Sequence, residues 1–158
     1  MIKSSPNNEA FKNVRFLVID DHSGTRSLVK ALLVQDGFSN IRSCENGLEA
    51  LKVLQEGEID IVVCDWNMPV MSGIDLLREV RREEKKQITE YESKKEQDSA
   101  SIKSKSRFVP FIMLTAEQDQ FSVITAFEYG ATDYIIKPFT QETLSGKVMR
   151  VIKNLNSG

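Results

Sequence analysis

Five side chains in this sequence are of the types that handle a phosphoryl group, and they stand at the ends of short apolar runs. Phe16-Leu17-Val18-Ile19 ends in the adjacent acids Asp20 and Asp21, and Ile61-Val62-Val63-Cys64 ends in Asp65. Phe111-Ile112-Met113-Leu114 ends in Thr115, and Tyr134-Ile135-Ile136 ends in Lys137. Three carboxylates gathered in one place repel, since two unit charges ~4 Å apart interact by about 4 kcal/mol at an effective dielectric of 20. A hard divalent cation with oxygen ligands relieves that repulsion, and Mg²⁺ is the expected ion. Asp65 has the chemistry of both metal ligand and nucleophile, because carboxylates form acyl phosphates. Thr115 offers a hydroxyl, and Lys137 a compact cation, to phosphoryl oxygens. Phosphoryl transfer asks a protein mainly for positioning and charge stabilisation, and this set supplies both.

These side chains meet only if the runs are neighbouring parallel strands. A run of four to eight apolar residues bounded by turn signals reads as a buried strand, and open α/β sheets bind ligands beyond the carboxyl ends of their strands. Strands are expected at 14–20, 41–44, 59–64, 111–114 and 134–136. The first helix is expected to start at Ser23 as N-cap, to turn Leu28, Val29, Leu32 and Leu33 inward, and to stop at Gly37. A second spans Asn46 to Glu56, with Leu48, Leu51 and Leu54 inward and Gly57 ending it. A third begins near Ile74 and carries Leu76, Leu77 and Val80, and a fourth covers about 119–129 before Gly130. The last has Thr140 as N-cap and a stripe of Leu144, Val148, Val151, Ile152 and Leu155, whose spacing fits one helical face. Strands alternating with helices imply a right-handed parallel α/β sandwich.

The 158 residues fit one domain with a single core. A formal net charge of −2 provides no basic field for nucleic acid. Cys44 and Cys64 are too few for a disulfide framework and read as small buried hydrophobes. No apolar stretch approaches ~18 residues, so no membrane span is expected. Residues 1–9 lack the apolar core of a signal peptide, and a cytoplasmic protein is expected. Regular amphipathicity fails at Arg81: residues 81–107 hold nine basic and six acidic side chains, which reads as a solvated, sign-mixed insertion that extends the third helix at its start.

With those residues in order, the chain closely resembles the receiver domain of two-component response regulators, the CheY-like family. The resemblance rests on Asp20-Asp21, Asp65-Trp66-Asn67-Met68-Pro69, Thr115-Ala116-Glu117, Tyr134 and Lys137-Pro138. It implies a flavodoxin-like doubly wound sheet of five parallel strands in the order 2-1-3-4-5. By the resemblance, residues 1–11 are a tail, 12–156 the receiver domain, and about 82–107 an insertion between the third helix and the fourth strand. Asp65 is then the acceptor of a phosphoryl group from a histidine kinase. Mg²⁺ is held by Asp21, Asp65 and the main-chain oxygen of Asn67, with Asp20 acting through a water. Thr115 and Lys137 hold the phosphoryl group, Tyr134 reports it by turning inward, and the Lys137–Pro138 bond is cis. Receiver domains make the connection between the third helix and the fourth strand short. Lengthening a loop fivefold costs only about 1–1.5 kcal/mol, so the fold can accommodate the insertion. It is expected on the face opposite the acidic pocket.

The favoured function is a stand-alone, phosphorylation-activated switch that acts through a protein partner. The final helix runs close to residue 158, so no separate output domain is expected. The partner face is expected on residues 119–155. Asn67 and Glu117 resemble the same positions of chemotaxis-type receivers, which favours a messenger for the flagellar motor switch; the insertion has no counterpart there and weakens that version, and the alternative is a phosphorelay or regulatory partner of another kinase. An aspartyl-phosphate phosphatase would place D-x-D after the first strand, whereas here the acids are adjacent and the nucleophile follows the third. A flavin-binding module would want a phosphate loop where Asp20-Asp21 stand. His22, the single histidine, reads as a solvated loop residue, and Trp66 as a half-exposed reporter beside Asp65.

Overall fold

The computed structural model describes residues 11–95, 108–116 and 120–156. Along the chain run β1 (Arg15–Ile19), α1 (Ser23–Gln35), β2 (Asn40–Cys44), α2 (Gly47–Gln55), β3 (Ile61–Asp65), α3 (Gly73–Lys95), β4 (Phe111–Thr115), α4 (Gln120–Glu128), β5 (Asp133–Ile136) and α5 (Gln141–Asn156). The strands form one sheet in the order β2-β1-β3-β4-β5, and every adjacent pair is parallel. This is the doubly wound flavodoxin-like arrangement.

Side chains alternate across the pleat, so each central strand feeds two cores. Leu17, Ile19, Val62, Cys64, Phe111 and Met113 face one side and meet Ala50 and Val53 of α2, Leu76, Leu77 and Val80 of α3, and Ala126 of α4. Phe16, Val18, Ile61, Val63, Ile112, Leu114 and Ile135 face the other and meet Val29 and Leu33 of α1 and Leu144, Val148, Val151 and Ile152 of α5. Burial on both faces explains why these strands read as unbroken apolar runs. Phe11, within the stretch read as a tail, already packs against the second core; residues 1–10 lie outside the described part.

Several local expectations need correction. The N-cap of α1 is His22, not Ser23, and its side chain makes no capping bond. Leu28 and Leu48, both expected inward, are about half exposed. Asn46 does cap α2, accepting from the Glu49 amide at 2.8 Å, and Thr140 Oγ1 accepts from the Thr143 amide at 3.2 Å at the start of α5. Gly37, Gly57 and Gly130 follow α1, α2 and α4 with φ of 100°, 78° and 98°, the left-handed conformation that glycine adopts without a Cβ penalty.

The charged stretch does not end α3. The helix continues through Lys95, and the rest of the stretch, 96–107, lies outside the described residues. What fastens the extension is Arg81, which is 8% exposed. Its guanidinium donates to the Val109 carbonyl at 2.7 Å, to the Gly130 carbonyl at 3.0 and 3.1 Å, and to Glu84 at 2.7 Å. Glu84 in turn accepts from the Val109 amide at 2.9 Å. The pair ties α3 to the segment entering β4 and to the turn after α4. Val109 precedes β4, so this anchor lies at the amino ends of the strands, opposite their carboxyl ends.

Candidate functional site

Strand register brings the five residues together. Ile19 pairs with Cys64, Asp65 with Leu114, and Thr115 with Ile136, so Asp20, Asp65, Thr115 and Lys137 stand on adjacent strand ends. Short backbone contacts hold each one. The Asp20 amide donates to the Cys44 carbonyl at 3.2 Å, and Arg26 Nη1 to the Asp20 carbonyl at 2.7 Å. The Trp66 amide donates to the Leu114 carbonyl at 2.8 Å, and the Lys137 amide to the Thr115 carbonyl at 2.7 Å. The Lys137–Pro138 bond is cis.

The loop after β3 folds back over Asp65. The Gly73 amide reaches the Trp66 carbonyl at 2.9 Å, and a Cβ on Gly73 would stand 2.1 Å from the Asp65 carbonyl oxygen. No side chain fits there, so Gly73 serves a close approach rather than only a turn. Inside the loop, Val70 is 91% exposed with φ of 71°. A β-branched residue in that region carries strain of order 1–3 kcal/mol.

Asp20 is fully buried, Asp65 is 5% exposed and Thr115 is 2% exposed. Lys137 Nζ bridges the two acids, 3.0 Å from Asp20 Oδ2 and 3.0 Å from Asp65 Oδ1. Burial raises the Asp65 carboxyl above the ordinary carboxylate range; the Lys137 hydrogen bond works against this, and the Asp20 and Asp21 charges add to it. Burial also opposes the Lys137 charge, but hydrogen bonds and attraction from Asp65 and Asp20 outweigh it and hold the ammonium pKa up. Potential ligand atoms of Asp20, Asp21, His22 and Asp65 all lie within 4.8 Å of one another. Three carboxylates face one ammonium there, and the hard oxygen set fits a small divalent cation.

The family model described as the response regulator receiver domain matches residues 16–97 and 97–149. The chain belongs to the response regulator receiver family. The chain is also similar to chemotaxis protein CheY-3 of Vibrio cholerae, with 38% identity over 91% of this chain and 95% of that one. It is 34% identical to chemotaxis protein CheY of Pseudomonas aeruginosa, over 90% and 99% of the two chains. Among solved structures, V. cholerae CheY4 superposes with a TM-score of 0.68 at 29% identity, covering 87% of this chain and 98% of that one. The receiver domain of Ssk1 from Saccharomyces cerevisiae, solved with the histidine phosphotransfer protein Ypd1, gives 0.73 at 25% identity over 88% of each chain. Receivers are components of two-component signalling.

The other expected receiver positions fall as follows. Asn67 is exposed in the loop two residues after Asp65. Tyr134 is half-buried on β5, with Phe127 edge-on at 6.0 Å between ring centroids and Lys147 Nζ 5.1 Å from its own. Glu117 lies outside the described residues. Arg26 was not visible as a site residue in the sequence; its one signal is its place in the first turn of α1, which lets it reach back to Asp20. Both thiols are buried, which pushes Cys44 up to about 11 and Cys64 well above the ordinary thiol range, so neither contributes a nucleophile at neutral pH. No helix among the described residues is long and apolar enough to cross a membrane.

Proposed function

We propose that this receiver is a cytoplasmic switch that accepts a phosphoryl group on Asp65 and signals through a protein partner. The observation that carries it is Lys137 Nζ held 3.0 Å from Asp65 at the mouth of an acidic cluster, with Thr115 on the neighbouring strand end. In the reaction, an Asp65 carboxylate oxygen attacks phosphorus. The P–N bond of a phosphohistidine on a histidine kinase or phosphotransfer protein breaks, and the imidazole leaves with the bonding pair. Asp21, Asp65 and the Asn67 carbonyl would hold Mg²⁺, with Asp20 contributing through a water. The ion they would hold would supply charge neutralisation to the phosphoryl oxygens. Lys137 and the Thr115 hydroxyl take the remaining phosphoryl oxygens.

The output face is α4, β5 and α5. Ile124 and Phe127 of α4 expose apolar surface there, which suits a protein partner. When Thr115 moves toward the phosphoryl group, Tyr134 has a reason to turn into the space beside β4. Driving that change from 1:99 to 99:1 takes about 5.5 kcal/mol. The similarity to chemotaxis proteins favours the flagellar motor switch as partner, and the long α3 favours a regulatory or phosphorelay role instead. The test is partner capture with and without Mg²⁺ and beryllofluoride, an acyl-phosphate mimic, for the parent, Thr115→Ala and Tyr134→Ala proteins. Mimic-dependent capture by the parent and its loss in both variants are expected. Full activation in both variants would place the switch elsewhere.

A further inference from the structure

The receiver reading assigns no role to His22, yet its side chain leans into the acidic cluster. Nδ1 is 3.3 Å from Asp20 Oδ1 and 3.2 Å from Asp21 Oδ1. The His22 backbone amide donates to the same Asp20 Oδ1 at 2.9 Å, which fixes that oxygen toward the imidazole, while Asp20 Oδ2 faces Lys137. The buried carboxylate is thus divided between a lysine side and a histidine side. The imidazole is 73% exposed in its side chain, so it can turn toward an ion without leaving a packed position.

We propose that His22 is a metal-selecting ligand, giving the pocket an imidazole–carboxylate face for borderline transition ions of the Zn²⁺ class. The inference rests on the reading of this pocket as a divalent-cation site and adds which ion each part of it prefers. Mg²⁺ takes oxygen ligands and dehydrates reluctantly, so it has little use for an imidazole. Zn²⁺ binds imidazole nitrogen well, and mixed nitrogen–oxygen sites favour it over Mg²⁺. Asp21 is shared: its Oδ1 is 3.2 Å from Nδ1, so a Zn²⁺ ion taken by His22 and Asp21 would compete with Mg²⁺ for that carboxylate.

The experiment is calorimetric titration of the full chain with ZnCl₂ and with MgCl₂ at one pH, for the parent, His22→Ala and His22→Gln. Zn²⁺ affinity should fall at least about tenfold in both variants, while Mg²⁺ affinity stays within about twofold. Because the chain has a single histidine, ¹⁵N spectra of the imidazole report on His22 alone. Its Nδ1 signal should show the large shift of direct coordination on adding Zn²⁺ and only the small change of a neighbouring charge with Mg²⁺. An unchanged Zn²⁺-to-Mg²⁺ affinity ratio in both variants, or an unmoved nitrogen signal while Zn²⁺ binds, would overturn the role of His22 and leave the Mg²⁺ pocket standing. Failure of the parent to bind either ion would remove the cation site itself.

Discussion

Lys137→Ala is expected to destabilise the metal-free protein by about 3 kcal/mol and to make its stability depend on Mg²⁺. The lysine is the cation that bridges Asp20 and Asp65, whose side chains are 0% and 8% exposed. Removing one partner of a buried ion pair costs roughly 3–5 kcal/mol, because the remaining charge stays buried without compensation. Lys137 keeps 23% of its side-chain surface in solvent, which places the loss at the lower end. Burial already holds the Asp65 carboxyl above its ordinary range, and without the ammonium nothing at this position opposes that. Mg²⁺ supplies the missing charge and no longer competes with a lysine for the same oxygens. An ion at a hundred times its Kd stabilises by about 2.7 kcal/mol. Urea melts of parent and variant with and without MgCl₂ measure both effects. A variant as stable as the parent in EDTA would show that the bridge contributes nothing to the fold.

Arg81→Ala should cost a similar amount, about 3 kcal/mol, at the other end of the sheet. The guanidinium satisfies the carbonyls of Val109 and Gly130 and pairs with Glu84 at side-chain exposures of 10% and 14%. It also lies 5.4 Å from the centre of the Phe111 ring. Truncation strands two buried carbonyls and a carboxylate together, and a chain of this size should lose roughly 6–12 °C in Tm. Arg82→Ala is the control. Arg82 pairs with Glu79 one helical turn back, but its side chain is 75% exposed, so its loss should leave the melt unchanged. Equal melts for the two variants would mean that the α3 extension is not fastened through Arg81.

The strand ends were legible because chemistry and burial coincide there. β1, β3 and β4 are buried on both faces, so their apolar runs are unbroken and the first polar residue marks the edge where Asp20, Asp65 and Thr115 gather. Helix faces were less legible. Spacing finds the centre of an apolar stripe but not its width, and the buried residues of α1 are Val29 and Leu33, leaving Leu28 half exposed. The helical start of the charged stretch was legible, but the burial of Arg81 within it was not. Arg81 is buried because carbonyls 28 and 49 residues away accept from it, and nothing local to Arg81 announces those partners. A local signal for the helix itself was present: Arg81–Glu84 and Glu79–Arg82 are opposite charges three residues apart. The reason for a glycine at 73, the Asp65 carbonyl beneath it, is visible only in three dimensions.

Mass spectrometry after treatment with acetyl phosphate tests most directly whether Asp65 carries the phosphoryl group. Acetyl phosphate needs no protein partner, so the reaction depends only on this pocket. Asp65 is the carboxylate that combines near-complete burial, a lysine at 3.0 Å and a threonine on the next strand end. With Mg²⁺ present, the parent should gain one phosphoryl group, and fragmentation should place it on Asp65. EDTA should abolish the gain, and Asp65→Asn should show none with Mg²⁺ present. A full phosphoryl signal in Asp65→Asn, or equal labelling of the parent in EDTA, would contradict a metal-assisted aspartyl-phosphate switch at this site.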